Sequence, residues 1–293
     1  MKELVYFAFV AVKTFITFTP KAFIEPVSAV IASFFWLLPI KRKKVVLRNL
    51  EIAFPNLSQK ERLQIAKKVY KNFSYYFADM IKSDSITKKE LEELATIKNE
   101  HFLKDAVASK KPLFIITAHF GNWEIPPKII GANYTPMIVL MREFDHPKIG
   151  AYFKKSRNRF NIEAVNKKDA LKHILKAFKK NKAVGALIDQ HPPQKSNSIE
   201  VEFFQKKVEF NKSISLLAQK LQALVLPMFV YRENRKYIIE FLPPKEFSKE
   251  DTIQSFTQWQ ASIIEQMIKQ HPSEYYWFHK RFKNIKGIYS NIK

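Results

Sequence analysis

Residues 113–124 of this 293-residue chain read LFIITAHFGNWE. The stretch begins with a short apolar run, which is typical of a buried strand. Pro126 and Pro127 follow it, and prolines are tolerated in the first turn of a helix, so we expect a helix to begin near Trp123. Gly121 stands in the bend between the two, where backbone freedom is most useful. The stretch is therefore predicted to be a strand that turns directly into a helix.

The same alternation of strand and helix continues along the chain. The predicted strands are Leu113–Thr117, Met137–Met141, Ala183–Ile188 and Val225–Tyr231, with Tyr237–Leu242 as an antiparallel edge strand. The predicted helices among them are Pro147–Phe160, Lys168–Lys180 and Ser213–Ala223, and a last helix runs from about Asp251 to Lys269. Two capping boxes, Ser58 with Glu61 and Thr87 with Glu90, predict two earlier helices. The pattern predicts an α/β fold, a mainly parallel sheet flanked by helices.

The composition excludes several classes of function. The chain has no cysteine, which excludes disulfides, thiol nucleophiles and thiolate metal sites. Its five glycines form no phosphate-cradling loop, and no two of its seven histidines have metal-site spacing, so we predict neither nucleotide chemistry nor a bound metal. The formal charge of +23 favours an acidic partner, namely nucleic acid, an anionic membrane or an acidic carrier protein.

The N-terminal segment differs from the rest of the chain. Residues 4–40 are almost all apolar, and the basic cluster KRKK follows at 41–44. The uncharged piece 27–40 has 14 residues, fewer than the roughly 20 that a helix needs to cross a bilayer. We favour membrane attachment, as one tilted span or as a pair of interfacial helices, over a buried core hairpin. The chain is thus divided into an apolar membrane-attachment segment with a basic flank, 1–44, and a catalytic-type domain, 45–293.

Candidate catalytic side chains lie where the first predicted strand ends. Ligands of such sheets bind beyond the carboxyl ends of the strands, which is where His119 lies, with Glu124 in the first turn of the next helix. A carboxylate that accepts one ring N–H fixes the histidine tautomer, and the other nitrogen can then take a proton from a hydroxyl. No serine or cysteine is paired with them, so the hydroxyl would belong to the substrate. The alternative is a structural histidine and a glutamate that complements the helix dipole.

The motif HFGNWE resembles the HX4(D/E) signature of glycerolipid-type acyltransferases, and its Gly-Asn-Trp-Glu form resembles the late acyltransferases of lipid A biosynthesis. Further segments resemble that family in the same order along essentially the whole chain. They are Arg48-Asn49-Leu50, Phe54-Pro55, Glu61-Arg62, Met141-Arg142, Arg157-x-Arg159-Phe160, Asp189-Gln190, Val201-x-Phe203-Phe204, His271-Pro272 and Trp277 to Lys283. The resemblance implies a glycerolipid-acyltransferase-like fold with an acyltransferase domain over 45–293.

The resemblance also implies a reaction. A fatty acyl group would move from acyl carrier protein to the hydroxyl of a 3-hydroxyacyl chain on a phosphorylated lipid A precursor. His119 would act as the general base and Glu124 would orient it. The acyl carrier protein thioester is the acyl donor, and no other cofactor is expected. The rival acceptor is a glycerophospholipid or a different glycolipid.

Substrate-binding residues follow from the same resemblance. Arg142, Arg157 and Arg159 would stabilise the oxyanion or bind the phosphates of the lipid, and Asn122 of the motif joins this group. For Arg157 and Arg159 the alternative is a solvated helix face. Asp189 would assist the dyad or pin an arginine, unless it is only a turn or capping residue.

The expected partners agree with the charge. Acyl carrier protein, the phosphorylated glycolipid acceptor and an anionic membrane are all negatively charged, and the expected location is the cytoplasmic face of the bacterial inner membrane. A nucleic-acid binder is disfavoured, since the chain lacks a recognisable nucleic-acid-binding signature and its apolar N-terminus does not suit one. Near the C-terminus, the alternation over 276–281 predicts a strand with one aromatic face, and secondarily a lid over the acyl groove.

Overall fold

The computed structural model describes residues 2–38, 40–84, 86–141, 146–166, 169–192 and 195–292. The helices are α1 (Lys2–Phe18), α2 (Lys21–Leu37), α3 (Lys41–Ala53), α4 (Gln59–Lys82), α5 (Lys88–Glu93), α6 (Glu100–Ala108), α7 (Ile125–Asn133), α8 (Pro147–Arg157), α9 (Ala170–Phe178), α10 (Ser213–Leu221) and α11 (Ile253–Gln270). The strands are β1 (Ala95–Lys98), β2 (Leu113–Thr117), β3 (Met137–Met141), β4 (Ile162–Asn166), β5 (Ala183–Leu187), β6 (Ser198–Phe203), β7 (Lys206–Asn211), β8 (Leu224–Glu233) and β9 (Lys236–Phe241).

Seven strands form one sheet in the order β1-β9-β8-β2-β5-β3-β4. The strands β8, β2, β5, β3 and β4 are parallel to one another, while β9 runs antiparallel to β8, and β6 and β7 form a separate hairpin. The predicted mainly parallel sheet flanked by helices is confirmed. The prediction that β9 is an edge strand is wrong, because the short strand β1 pairs with its outer side.

The boundaries of the predicted elements differ from the structure in a few places. The helix predicted to reach Phe160 ends at Arg157, because Phe160 and Asn161 adopt left-handed backbone angles with φ of 53° and 60°. Lys168, where the next helix was predicted to begin, lies outside the described residues, and α9 begins at Ala170. Both predicted capping boxes are present, at the starts of α4 and α5.

The strand β2 lies in the middle of the sheet with all five residues buried. Its side chains alternate between two apolar layers. Phe114 and Ile116 face the layer that contains α9, α10 and α11, and Ile115 faces the layer that contains α7. Each such side chain, fully buried, contributes about 1.5–3 kcal/mol of transfer free energy. This strand therefore carries the loop of His119 on a rigid support.

The helices α1 and α2 pack against α4. Ile16 and Ile24 form a small buried cluster with Ala78 and Ile81 of that helix. Other large apolar side chains of the pair remain exposed: Leu4, Val5, Phe7, Val12, Phe15, Phe18, Phe23, Val30, Phe34, Phe35 and Leu37. In the described part of the chain, no helix alone has the length and apolar character to cross a bilayer. The pair α2 and α3 reaches that length and composition together, with a bend of 92° between them.

The predicted strand over 276–281 is wrong. The segment Glu274–Phe282, here called the C-terminal strap, is built of turns and touches strand geometry only at the bridge between Tyr275 and Phe120. The buried Asn49 side chain donates to the carbonyls of Trp277 (2.7 Å) and His279 (2.8 Å), which a strand would offer to its neighbour. The Asn49 amide thus satisfies two backbone carbonyls of the strap that a neighbouring strand would otherwise satisfy.

Candidate active site

His119 lies directly beyond the carboxyl end of β2, and Asp189 lies beyond the carboxyl end of the adjacent strand β5. The register pairs Thr117 with Leu187, so the two side chains begin at the same height on the sheet. The imidazole Nδ1 is 2.8 Å from Asp189 Oδ1, and the backbone N–H of His119 donates to the same oxygen at 3.1 Å. Asp189 is buried, while 18% of the His119 side chain is exposed. Asp189 therefore holds the ring through Nδ1, and the ring remains partly accessible to solvent.

The protonation state of this pair follows from its surroundings. Burial opposes ionisation of Asp189, but attraction to His119 and hydrogen bonds from it lower the pKa of the carboxyl below its usual value. The ionised carboxylate accepts Nδ1–H, so a neutral ring keeps its lone pair on Nε2. The amide nitrogen of Gln190 lies 3.3 Å from that atom. Nε2 is thus the nitrogen able to accept a proton from a substrate.

The structure corrects the predicted pairing of His119 with Glu124. The Glu124 carboxylate instead receives a bidentate contact from Arg157 in the last turn of α8, with Nε at 2.9 Å and Nη2 at 2.5 Å. A guanidinium fork matches both carboxylate oxygens, whereas the ring of His119 is turned toward β5 and Asp189. The predicted dyad therefore becomes two pairs, His119 with Asp189 and Glu124 with Arg157.

The Glu124–Arg157 pair is largely buried, with 12% and 19% of the two side chains exposed. Burial raises the pKa of Glu124, but the hydrogen bonds and charge of Arg157 outweigh it, and the pKa lies below its usual value. Burial lowers the pKa of Arg157, and the Glu124 carboxylate more than reverses this. Both groups are therefore charged, and Arg157 is not the solvated helix-face residue of the alternative interpretation.

The other predicted binding residues lie elsewhere. Arg159 donates to the carbonyls of Asp84 and Ile86 and stacks on Phe160, so it braces the loop after α4. The buried Asn122 amide donates to the Tyr237 hydroxyl at 3.0 Å. Neither is among the described residues that line the cavity next to His119, and their substrate-binding role stays a prediction. Arg142 lies outside the described residues.

A cavity of about 640 Å³ extends from His119 between the sheet and the helices α4, α7 and α8. Met141 and Met137, at the two ends of β3, both line it, so it follows the strand for about 13 Å. Its walls are mainly apolar, and its polar lining includes His119, Glu124, Arg157 and Gln190. Its volume is that of a small-molecule site. None of its described lining residues belongs to the C-terminal strap, so the predicted lid is not observed.

Lys128 is a polar residue of the cavity that sequence reasoning missed. It lies one helical turn beyond Glu124 on α7, is 1% exposed, and donates to Ser83 Oγ at 2.7 Å. Burial lowers the pKa of this ammonium, and the carboxylates of Asp84 and Glu124 offset part of the change. The spacing of four residues from Glu124 was the available signal, since it places both side chains on one face of a helix.

The contact between His119 and Asp189 was harder to predict from the sequence. Both residues follow buried strands, but the sequence does not give the order of strands in the sheet.

In the described ranges, no group of three or more histidine, aspartate or glutamate side chains is arranged to hold a metal ion.

The arrangement combines a histidine base, a charged pair and a long apolar cavity. Such a site can remove a proton from a hydroxyl while a hydrocarbon chain occupies the cavity. The fold and site thus suit an α/β enzyme whose substrate carries an alkyl chain.

Comparison with known proteins identifies the class. The sequence profile described as bacterial lipid A biosynthesis acyltransferase matches residues 1–284. The chain is 26% identical to the lipid A biosynthesis lauroyltransferase of Escherichia coli (strain K12), over 83% of this chain and 79% of that protein. It is 23% identical to the palmitoleoyltransferase of the same strain, over 83% and 79%, and 20% identical to its myristoyltransferase, over 94% and 86%. The chain belongs to the bacterial lipid A biosynthesis acyltransferase family and is an acyltransferase of lipid A synthesis.

Proposed function

We propose that this enzyme transfers a fatty acyl group from acyl carrier protein to the hydroxyl of a 3-hydroxyacyl chain on a phosphorylated lipid A precursor. The observation that carries the proposal is the partly exposed ring of His119 at a long apolar cavity, with Asp189 bound to Nδ1 and the Gln190 amide as the described neighbour of Nε2. The acyl donor needs no further cofactor, because the thioester is already activated.

The proposed reaction proceeds in two steps. His119 Nε2 takes the proton of the acceptor hydroxyl, and the resulting alkoxide oxygen bonds to the thioester carbonyl carbon. The carbonyl electron pair moves to oxygen and forms a tetrahedral oxyanion. When this intermediate collapses, the carbon–sulfur bond breaks, and the thiolate of the carrier's prosthetic group receives the proton from the imidazolium. Asp189 stabilises that imidazolium throughout.

Arg157 is the proposed stabiliser of the oxyanion. Glu124 occupies its Nε and Nη2, while among the described residues Nη1 contacts the thioether sulfur of Met141 at 3.7 Å. A thioether is a weak acceptor, so Nη1 is available to a developing negative charge. Glu124 thus acts through Arg157. Arg142, which directly follows β3 in sequence, remains a candidate for binding a lipid phosphate.

The cavity is the proposed site of the transferred acyl chain. Ile115, Val139 and Gly185 line it from three adjacent strands, and each methylene removed from water contributes about 0.8 kcal/mol. An acyl chain held along the strands would place its thioester near His119.

The remaining partners are proposed from charge and exposure. The outward apolar side chains of α1 and α2 suit the interface of a membrane, and the basic residues 41–44 at the start of α3 suit its anionic headgroups. Acyl carrier protein is acidic, and the net charge of +23 favours its approach. We place the enzyme at the cytoplasmic face of the bacterial inner membrane, where donor and acceptor meet.

The test is mass spectrometry of a tetraacylated lipid A precursor incubated with the enzyme and a panel of acyl carrier protein thioesters. We expect a gain of one acyl group, and a loss of about 10²–10⁴-fold in rate for His119→Ala. His101→Ala, on the outer face of α6, is the matched control and should retain the rate. Acylation of a glycerophospholipid in place of the precursor would support the rival acceptor, and unchanged activity of His119→Ala would reject the mechanism.

A further inference from the structure

The sheet wall of the cavity beside His119 consists of rows of side chains that lie two residues, or about 7 Å, apart along the strands. The outer row includes Thr117 and Leu187, at the carboxyl ends of β2 and β5. The middle row consists of Ile115, Gly185 and Val139. The inner row includes Met137 of β3 and its partner Ile162 of β4. The cavity therefore extends down the strands, away from the reacting groups.

The lining side chains become more buried toward the inner row. Gly185 and Val139 in the middle row are half-buried. In contrast, Met137 is 1% exposed and Ile162 is 6% exposed. Ile130 of α7, which also lines the cavity, is 1% exposed. The accessible space therefore ends between the middle row and the inner row.

The side chain of Met137 reaches from the inner row to the middle row. A Cβ atom built on Gly185 would lie 3.1 Å from Met137 Cε and 3.3 Å from Val139 Cγ1. The end of the methionine side chain thus packs directly over Gly185. A glycine inside a strand often marks a place where another group approaches the backbone closely. Here that group is a flexible thioether, and it lies where the cavity ends.

We propose that Met137, packed over Gly185, forms the inner end of the acyl site and limits the length of the acyl chain that the enzyme transfers. The inference rests on the proposed function, since it takes the cavity as the site of the acyl chain. Each methylene that enters the cavity strengthens binding about fourfold. A methylene beyond the limit must displace a packed side chain, so it adds no affinity.

The first test measures the binding of saturated free fatty acids of increasing length to the full-length protein by calorimetry. This measurement requires no acyl transfer. For the wild type, we expect Kd to fall about fourfold per added methylene up to a limiting length and then to stop falling. Met137→Ala removes Cγ, Sδ and Cε from the inner end and should move the limit to longer chains. A fatty acid two methylenes beyond the wild-type limit should bind this variant about 15-fold more tightly than the wild type.

Substitutions of Gly185 should have the opposite effect. Gly185→Leu places a side chain in the middle row and should move the limit to shorter chains. Gly185→Ala adds a single carbon, for which the end of the Met137 side chain must shift slightly, so the limit should move less in the same direction. The smaller variant keeps the comparison available if the larger one does not fold.

Met267→Ala is the matched control for Met137→Ala. Met267 is also 1% exposed, but it belongs to the apolar layer on the other face of the sheet. The control loses the same atoms from a buried site, so it should lower the melting temperature to a similar extent. It should leave the limiting chain length unchanged.

The panel of acyl carrier protein thioesters provides the kinetic test. The longest acyl group that is transferred should lengthen in Met137→Ala and shorten in the Gly185 variants. Three results would overturn the inference: a wild type without a limiting length, an unchanged limit in Met137→Ala and Gly185→Ala, or an equal shift in Met267→Ala. If the fatty acid limit moves as expected but the wild type transfers no acyl group, the proposed function fails and the role of Met137 in chain length stands.

Discussion

At the scale of single residues, the active site depends on which carboxylate each basic group meets. His119 meets Asp189 from the adjacent strand, and Arg157 meets Glu124 from the start of α7. Asp189 is buried and Glu124 is largely buried, both carboxylates are ionised, and each pairs with a different basic group. Substitutions of the two should therefore have different effects.

Asp189→Asn should abolish most activity without unfolding the protein. The amide keeps the shape of the side chain but removes the charge that fixes the histidine tautomer and stabilises the imidazolium. We expect a fall of about 10²-fold or more in kcat, measured by acyl transfer, with a melting temperature close to that of the wild type. Activity within a few-fold of the wild type would show that Asp189 has no catalytic role.

Glu124 and Arg157 should be coupled in stability. Glu124→Gln leaves a buried guanidinium without its counter-charge, so we expect a loss of about 3–5 kcal/mol in the free energy of unfolding. Adding Arg157→Met to that variant should recover part of this loss, because the unpaired charge is removed. A double-mutant cycle by chemical denaturation measures the coupling. Simple additivity of the two single changes would contradict the pairing.

Glu274 in the strap should make stability depend on pH. Burial raises its pKa to about 7, against hydrogen bonds from Tyr76 and weaker attraction to Lys68 and Arg232. Because the folded pKa is raised, the native state holds the proton more tightly than the unfolded chain. Stability from this group is present in full below the unfolded value of 4.5 and is lost as pH rises to about 7.

The pH dependence can be measured with Glu274→Gln, which cannot ionise. We expect the variant to gain stability relative to the wild type as the pH rises from about 5 to about 8, with the difference approaching about 3 kcal/mol. Urea unfolding at both pH values provides the numbers. An equal difference at the two pH values would exclude titration of Glu274 as the cause.

At the scale of elements, the turn from β2 to α7 requires a glycine. Gly121 has φ of +55°, and a Cβ atom there would lie 1.9 Å from the carbonyl oxygen of Val230 on β8. Gly121 therefore has left-handed backbone angles and also packs directly against the backbone of β8, with no space for a side chain. The backbone N–H of Gly121 also donates a hydrogen bond to the carbonyl of Glu274 in the strap. The loop of His119 is thus held between a strand and the C-terminal segment.

Comparing Gly121→Ala with Gly287→Ala separates the cost of a left-handed backbone conformation from the cost of a steric clash at the added Cβ. Both glycines have positive φ, but nothing lies within 4 Å of a Cβ at Gly287. Gly287→Ala should cost about 1–2 kcal/mol from the left-handed conformation alone. Gly121→Ala should cost several-fold more and abolish acyl transfer, because β8 or the loop must move. Thermal unfolding and the activity assay test both, and equal costs would contradict the close approach.

At the scale of the whole molecule, most of the exposed large apolar side chains of the described residues lie on α1 and α2, the proposed membrane-binding surface. We expect the protein to bind vesicles that contain anionic lipid, more weakly at high salt because the basic residues 41–44 contribute about 1 kcal/mol each. The double variant Phe7→Glu with Phe34→Glu should lower binding in a co-sedimentation assay. Leu171→Glu on α9, also exposed, is the control. Equal binding by all three proteins would contradict membrane attachment through this surface.

Local signals in the sequence predicted much of this fold. The strands β2 and β3 have the predicted bounds, and the capping boxes of Ser58 and Thr87 begin α4 and α5. Those features depend on neighbours along the chain, so periodicity and capping chemistry suffice to find them. The short strand β1 was missed because it has four residues with alternating burial and no apolar run.

The site was predicted less completely than the fold. His119, Glu124, Arg157 and Asp189 all reach one region, as the motifs suggested, but their pairing differs from the prediction. Partners of a charged side chain are chosen by the order of strands and the packing of helices, which bring together residues 33 and 70 positions apart. The strap was misassigned for the same reason, since the bonds from Asn49 span 228 and 230 positions.

The sequence by itself determined the class of fold and the family, and it placed His119 at the end of a buried strand, because these follow from local patterns and from motifs in a fixed order. Only the tertiary structure decided that Asp189 contacts this histidine and that Glu124 pairs with Arg157. The physical reason is that a hydrogen bond between side chains depends on distances of about 3 Å between atoms that the chain brings together only by folding.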